Sequence, residues 1–160
     1  MTIKEGDKLP EATFMTMTGE GPKPMTTDEV FKDKTVVLFA VPGAFTPTCS
    51  ARHLPGFVDS AADLKAKGVD AIACLSVNDA FVMGAWGDNA GTGEDVLMLA
   101  DGNGDFTKKL GLAMDASKFG MGERSQRYAM LVKNGVVEKL NVEAPGEFRV
   151  SSAEHVLGQL

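Results

Sequence analysis

The sequence predicts an α/β fold with a mixed central sheet and helices on both faces. Short apolar segments of strand length alternate with segments whose apolar residues recur at helical spacing. Towards the C-terminus, two strand-like segments meet at Asn134 and Gly135, a dipeptide typical of a two-residue hairpin turn. Alternating strand and helix units give parallel strands covered by helices, and a hairpin adds antiparallel strands to the same sheet.

The first strand and helix follow an arm that we expect to be irregular. The strand is TVVLFAV, residues 35–41, and every residue after its threonine is apolar. Residues 49–67 have the apolar spacing of a helix that ends at Gly68, and Pro55 is expected to kink that helix. Its buried face would consist of Leu54, Val58, Ala61 and Leu64.

The later elements repeat the alternation. The last helix is expected to begin at "SSAE", where Ser151 and Glu154 have the spacing of a capping box. The whole pattern is close to a thioredoxin fold with insertions. Before the last helix we predict a strand at 70–77, a helix at 79–88, a strand at 95–101, a helix at 106–111 and two strands within 127–143.

Length and charge limit the classes of function. A chain of 160 residues with 44% apolar residues fits a single domain spanning residues 1–160. A net charge of −6 argues against nucleic acid or an anionic membrane as a partner, because both attract clustered basic residues. The longest apolar run, VVLFAV, is too short to cross a bilayer, and no secretory leader is recognisable, so we expect a cytoplasmic protein. Two cysteines in a reducing compartment would be redox-active or buried rather than structural.

Several familiar motifs are incomplete in this chain. DGNGD at 101–105 begins like a calcium loop but lacks the later glycine and glutamate, so we interpret it as a turn. The glycines at 120 and 122 lack the strand and third glycine of a dinucleotide fingerprint. His53 and His155 do not have metal-ligand spacing with a cysteine, and CxxC is absent, which disfavours zinc and thioredoxin-type exchange.

Cys49 is the strongest candidate for chemistry. It stands at the predicted start of a helix, where free backbone N–H groups and the helix dipole favour a thiolate. Pro42 and Pro47 stiffen the preceding loop, Gly43 allows close backbone approach, and Thr46 offers a hydroxyl three residues before the sulfur. The alternative is an inert buried thiol, which is the commoner fate of a lone cysteine.

Pro42, Thr46 and Cys49 in "PGAFTPTCS" match the PxxxTxxC motif, and the chain resembles the peroxiredoxins of the type II, or type-five-like, subgroup. The resemblance covers nearly the whole chain. It implies a thioredoxin fold, reduction of hydrogen peroxide and alkyl hydroperoxides, and no metal or organic cofactor. Segments that recur in that subgroup in the same order are "HLPGF", "GVDAIACLSVNDAFVMGAW", "ADGNGDFTKKLGL", "RSQRYAMLV" and "VSSAEHVL".

The same resemblance implies a role for each residue of the motif. Cys49 would be the peroxidatic cysteine that becomes a sulfenic acid. Thr46 would bind the peroxide, and Pro42 would shield the thiolate from water. Arg127 in "QRYAML" matches the arginine that stabilises the thiolate and the departing oxygen; Arg124 and Arg52 compete for that role, with a solvated surface charge as the alternative for each. His53 matches a histidine whose role in the subgroup is less fixed, and it would act on the neighbouring site residues rather than on the peroxide.

Cys74 and the assembly state leave alternatives open. Cys74 lies in the apolar segment "AIACLSV" and is either a core thiol or a resolving cysteine, the latter being common in the subgroup. A disulfide needs Cα atoms within about 7 Å, and a thiol in the middle of a strand would meet Cys49 only after local unfolding. An external thiol is therefore the simpler reductant, supplied either by glutathione with glutaredoxin or by thioredoxin. The subgroup also implies a homodimer. Its contact patch could use three rings that otherwise fill the core: Phe45, Phe81 and Trp86.

Two other functions fit the same residues. One is a glutathione- or thioredoxin-linked oxidoreductase without specificity for peroxide. The other is a redox sensor or thiol-regulated binding protein, in which Cys49 is a switch with little turnover.

Overall fold

The computed structural model describes residues 2–160, and its main feature is a seven-stranded mixed sheet. In chain order the strands are β1 Thr13–Thr18, β2 Gly21–Thr26, β3 Thr35–Ala40, β4 Ala71–Ser76, β5 Leu97–Ala100, β6 Ala113–Asp115, β7 Glu123–Ser125, β8 Tyr128–Lys133 and β9 Val136–Val142. The helices are α1 Thr27–Phe31, α2 Leu54–Ala66, α3 Ala80–Ala90, α4 Asp105–Leu110 and α5 Ala153–Leu157. A π-helical turn, Cys49–His53, precedes α2, and a 3₁₀ turn, Ser117–Phe119, separates β6 from β7.

The sheet combines parallel and antiparallel strands in the order β2-β1-β5-β4-β3-β8-β9. Strands β3, β4 and β5 are parallel, as expected for strands joined by helices, while β8 and β9 are antiparallel. Asn134 and Gly135 form the turn between β8 and β9 with φ values of 48° and 77°, as the hairpin prediction requires. The predicted α/β class is confirmed. Strands β6 and β7 form a separate two-stranded sheet.

Two apolar layers cover the two faces of the sheet. Val37 and Phe39 of β3 point to the layer that contains α2, α3 and α5, whereas Val36 and Leu38 point to the layer that contains α1 and α4. This alternation follows from the two-residue period of a strand. Cys49 and Cys74 both belong to the first layer, so the candidate site lies on the α2 side of the sheet.

The N-terminal arm is the main error in the sequence-based prediction. Residues 13–26 form the β1–β2 hairpin, and β1 also pairs with β5 through Met15 and Ala100. Strand β2 carries Pro22 and Pro24 at the edge of the sheet, where prolines are tolerated. Thr26 then caps α1 in a full capping box with Glu29. An arm expected to be irregular therefore extends the sheet by two strands.

The predicted cap of the last helix is wrong by one residue. Ser152 is the N-cap of α5, and its hydroxyl accepts a hydrogen bond from the backbone N–H of His155. Ser151 is fully buried, and its amide and hydroxyl both donate to Glu143. Ser151 is therefore engaged with Glu143 and does not cap the helix. The longest helix, α2, has 13 residues, and no helix in 2–160 combines the length and apolar character needed to span a membrane.

Candidate active site

The loop that delivers Cys49 is anchored to the end of β4. Backbone N–H groups of Val41 and Ala44 donate to the Leu75 carbonyl and the Asn78 side-chain oxygen, at 3.0 Å each. The loop then turns at Phe45, whose φ of 63° lies in the left-handed region that side chains other than glycine rarely adopt. Helical structure begins at Pro47, so Cys49 lies in the first turn, where backbone N–H groups lack helical partners.

A wide π-helical turn places Cys49 and His53 together. The N–H of Leu54 donates to the carbonyl of Cys49, five residues earlier, and the α-helix resumes at Leu54. The sequence predicted an α-helix kinked by Pro55, but the irregularity is this turn just before the proline. Turns of this kind are rare and often occur at functional sites. Both Cys49 and His53 are fully buried.

Arg127 contacts both of these side chains. It precedes the first residue of β8 and is half-buried. Its Nη2 donates to Cys49 Sγ at 2.9 Å, while its Nη1 donates to His53 Nδ1 at 2.8 Å. The planar guanidinium makes the two contacts with separate nitrogens, which fixes its orientation. The guanidinium thus brings a positive charge and a hydrogen-bond donor to the buried sulfur.

His53 is held neutral with one defined tautomer. Its Nε2 lies 2.8 Å from the Ser151 carbonyl, which can only accept, so Nε2 carries the hydrogen. Its Nδ1 faces an arginine nitrogen, which can only donate, so Nδ1 carries the lone pair. Burial, together with the positive charge of Arg127, lowers the pKa of His53 to about 3. His53 therefore accepts from Arg127 at neutral pH without adding a second positive charge.

Pro42, Gly43 and Thr46 lie in the loop that leads to Cys49. Thr46 Oγ1 donates to the Gly43 carbonyl at 2.7 Å, which leaves its oxygen lone pairs available to a substrate hydroxyl. Gly43 is buried, and a Cβ there would come within 3.1 Å of both Thr46 and Met121. A side chain at 43 would therefore require small shifts of the Thr46 and Met121 side chains.

The two competing arginines lie elsewhere. Arg124 donates from Nε to the Met121 carbonyl at 2.8 Å and from Nη1 to the Pro42 carbonyl at 3.5 Å, so it anchors the loop rather than the sulfur. Arg52 is exposed, and its guanidinium lies 4.7 Å from the centre of the Phe148 ring. Of the three arginines, the structure brings only Arg127 within hydrogen-bond distance of Cys49 Sγ.

Cys74 is a buried residue of β4, paired with Phe39 of β3. Both cysteines are free thiols in this structure. Burial raises the pKa of the Cys74 thiol well above its usual value, and the neighbouring Cys49 raises it further. Cys74 is therefore a neutral thiol and a weak nucleophile.

Several residues around this site could not be selected from the sequence. Trp86 is buried rather than part of an exposed contact patch, and its Nε1 donates to Ser50 Oγ at 2.9 Å beside Cys49. Phe148 lies with its ring centre 4.9 Å from that of His53 and 5.8 Å from the Arg127 guanidinium carbon. Glu143 is 6% exposed and binds the loop that carries Phe148. The one prediction that the sequence carried here, a helix cap formed by Ser151 and Glu154 in "SSAE", pointed away from the site.

Comparisons with known proteins agree with this geometry. The redoxin family model matches residues 4–157. Peroxiredoxin-2E-2, chloroplastic, of Oryza sativa subsp. japonica is 56% identical over 165 residues, covering 99% of this chain and 73% of the rice protein. The hybrid peroxiredoxin hyPrx5 of Haemophilus influenzae is 47% identical and covers 100% of this chain and 67% of its own length. The crystal structure of reduced Prx3 in complex with H₂O₂ from Vibrio vulnificus has a TM-score of 0.95 and 58% identity, covering 99% of each chain.

A thioredoxin fold with a buried, arginine-bound cysteine at the start of a helix defines the class as a thiol-dependent redox protein. The chain belongs to the redoxin family and, within it, to the peroxiredoxins. Its activity is that of a thiol peroxidase. The resemblance noted from the sequence is thereby confirmed.

Proposed function

We propose that this peroxiredoxin reduces hydrogen peroxide and alkyl hydroperoxides at Cys49, and that an external thiol restores the enzyme. The observation that carries the proposal is the 2.9 Å contact from Arg127 Nη2 to the buried Cys49 Sγ. Hydrogen peroxide is supported as a substrate because the similar Vibrio vulnificus protein is described in complex with it.

The first step transfers one oxygen to sulfur. The Cys49 thiolate attacks one peroxide oxygen, and an S–O bond forms as the O–O bond breaks. The sulfur loses two electrons and becomes a sulfenic acid, and the other oxygen leaves as hydroxide or alkoxide and takes a proton to give water or an alcohol. Thr46 would accept the hydrogen bond of the substrate hydroxyl, Arg127 would stabilise charge on the departing oxygen, and Pro42 would limit access of water.

The second half of the cycle consumes two thiols. One thiol condenses with the sulfenic acid to give a mixed disulfide and water, and a second thiol releases Cys49. We propose glutathione with glutaredoxin, or thioredoxin, as the source. The test is steady-state peroxide consumption with each reductant: sustained turnover with at least one of them supports the proposal. A single stoichiometric oxidation followed by arrest would identify a redox sensor instead, and reduction of disulfides without peroxide consumption would identify a general oxidoreductase.

Cys74 is expected to be dispensable for this cycle. Its raised pKa and its position inside β4 oppose attack on a sulfenic acid at Cys49, because only a thiolate attacks efficiently and the strand would have to open. We predict that Cys74→Ser changes turnover by less than about twofold under saturating glutathione and glutaredoxin. The same comparison under thioredoxin is the control for the reductant. A collapse of turnover with both reductants would make Cys74 an obligatory resolving cysteine.

We also propose a homodimer that contacts beside the active-site loop. Phe45, adjacent to Thr46, is 51% exposed, and Phe81 at the start of α3 is 65% exposed. Large exposed rings beside a site are typical of a contact surface. Trp86 does not belong to this patch, since only 1% of it is exposed, although its ring centre lies 6.4 Å from that of Phe45.

Sedimentation velocity tests the dimer. We expect a dimer at micromolar concentration in the reduced protein and a larger monomer fraction in Phe45→Glu, because a carboxylate would be buried without a partner in the contact. Monomer alone in both redox states of the unmodified chain would contradict the proposal. The cytoplasmic location stays a prediction, and the similar rice protein is named as a chloroplast protein.

A further inference from the structure

Glu143 is a buried carboxylate that the chemistry at Cys49 does not use directly. It follows the last residue of β9 and is 6% exposed. Within residues 2–160, no lysine, arginine or histidine nitrogen makes a salt bridge with its carboxylate. Burying an unpaired charge is costly unless hydrogen bonds replace those of water, so the hydrogen-bond partners of Glu143 show what stabilises its carboxylate.

All of those partners belong to the loop that leads into α5. Glu143 Oε2 accepts from the backbone N–H groups of Arg149 at 2.8 Å, Val150 at 2.9 Å and Ser151 at 2.8 Å. It also accepts from the Ser151 hydroxyl at 2.7 Å. Burial alone would raise the pKa of Glu143, but these hydrogen bonds, that of the Ser151 hydroxyl first, outweigh it and hold the pKa below its usual value. The carboxylate is therefore ionised at neutral pH and fixes the backbone of residues 149–151.

The same backbone orients the histidine beside the active-site arginine. Ser151 donates to Glu143 through its N–H, and its carbonyl accepts from His53 Nε2 at 2.8 Å. That bond fixes the His53 tautomer, so Nδ1 can accept from Arg127. The chain of contacts runs from Glu143 through Ser151 and His53 to Arg127 and ends at Cys49 Sγ.

Glu143 also holds the backbone of Arg127. Its own N–H donates to the Arg127 carbonyl at 2.9 Å, where β8 and β9 end side by side. One residue thus fixes the main chain of the arginine and, through Ser151 and His53, the direction of its side chain. The loop that this carboxylate fixes also carries the Ser151 carbonyl, which orients His53 and, through it, the Arg127 guanidinium.

We propose that Glu143 is a positioning residue for the peroxidase reaction, which holds Arg127 in the orientation that activates Cys49. The inference rests on the proposed role of Cys49 and Arg127. It adds that the arginine is effective only when the loop at residues 149–151 is fixed by the Glu143 carboxylate. Replacing the carboxylate with an amide of the same shape removes the charge and puts a donor where an N–H group must be accepted.

The test is a double-mutant cycle with Glu143→Gln and Arg127→Ala in the full chain. The readouts are the rate of Cys49 oxidation by hydrogen peroxide and the rate of Cys49 alkylation by iodoacetamide, both in the reduced protein. Trp86, the single tryptophan, donates to Ser50 beside Cys49, so its fluorescence can follow oxidation. We expect Glu143→Gln alone to lower the oxidation rate about tenfold and the alkylation rate by a smaller factor, and each by less than about twofold when Arg127 is already alanine.

Glu147→Gln is the matched control. Glu147 lies on the same loop, is exposed, and pairs only at 3.7 Å with Arg149 Nε, so the same change there should leave both rates unaltered. Unchanged rates in Glu143→Gln, or effects that multiply with those of Arg127→Ala, would overturn the proposal. Alkylation needs no peroxide, so the cycle decides the inference even if the unmodified protein proves inactive with hydroperoxides, a result that would overturn the proposed function alone.

A second pair of variants decides the matter if Glu143→Gln does not fold. The His53→Asn side chain can place an oxygen near the Nδ1 position and still accept from Arg127, but it cannot reach the Ser151 carbonyl. The His53→Gln side chain reaches towards the Nε2 position and loses the acceptor for Arg127. Slower alkylation in His53→Gln than in His53→Asn supports orientation of Arg127 through Nδ1, and equal rates in the two variants overturn it.

Discussion

Replacement of Cys49 by serine is expected to abolish peroxide turnover and leave the fold intact. A serine hydroxyl is far less acidic than a thiol, so the anion that attacks the O–O bond would not form at neutral pH. The exchange removes little volume from a fully buried position, and Arg127 can still donate to the hydroxyl oxygen. The measurements are peroxide consumption and the mass of the protein after one equivalent of peroxide, which should show no added oxygen.

Cys74→Ser is the matched control for that substitution. It makes the same chemical change at the other buried thiol in the same apolar layer, so it should still gain one oxygen at Cys49. Retained turnover in Cys49→Ser would remove Cys49 from the mechanism. Oxygen added only when Cys74 is present would make Cys74, rather than Cys49, the thiol that reacts with peroxide.

The sequence predicted well those elements whose structure follows from their own residues alone. Strand β3 is apolar at both alternating positions because layers of helices cover both of its faces, and such a strand is visible as a continuous apolar run. The β8–β9 hairpin is equally local, because Asn134 and Gly135 tolerate the positive φ that its turn needs. Neither prediction depended on residues far away in the chain.

The β1–β2 hairpin was missed because its signal is not local. In β2 every residue is exposed or half-buried, and two of its six residues are prolines. Such a segment has weak strand propensity, and it becomes a strand because its partner β1 pairs in turn with β5, through Met15 and Ala100, 85 positions apart in the chain. Tertiary pairing overrides the local preference here.

The candidate site divides in the same way. Cys49, Thr46 and Pro42 lie within one short motif, and Arg127 was chosen because "QRYAML" matches the arginine of the resembled subgroup. The contacts that orient Arg127 join His53 to residues 74 and 98 positions away in the chain. A single sequence carries no signal for such pairs. The signal at Ser151 was misleading, because a serine three residues before a glutamate suggests a helix cap. In the structure the Ser151 hydroxyl instead donates a hydrogen bond to Glu143.

Arg127→Ala is expected to slow the reaction of Cys49 with peroxide at least tenfold, which corresponds to about 1.4 kcal/mol of transition-state stabilisation. Two effects combine. The buried sulfur loses the donor at 2.9 Å, and the departing oxygen loses a cation. The oxidation rate of Arg127→Lys should lie between those of the unmodified protein and Arg127→Ala. A lysine ammonium is a point charge and cannot donate to Cys49 Sγ and His53 Nδ1 at once as the planar guanidinium does.

Arg124→Ala is the control that separates charge at the sulfur from anchoring of the loop. Arg124 carries the same charge close to the same loop, but its bonds go to the carbonyls of Met121 and Pro42. Its removal should loosen that loop and slow oxidation by less than about threefold, since no donor to the sulfur is lost.

The comparison uses the rate of oxidation by peroxide and the rate of alkylation by iodoacetamide for four proteins: the unmodified chain, Arg127→Ala, Arg127→Lys and Arg124→Ala. For Arg127→Ala the oxidation rate should fall more than the alkylation rate, because alkylation senses only the thiolate whereas oxidation also needs the cation beside the departing oxygen. A larger loss in Arg124→Ala than in Arg127→Ala would mean that the loop anchor, rather than the 2.9 Å contact, controls the reactivity of Cys49.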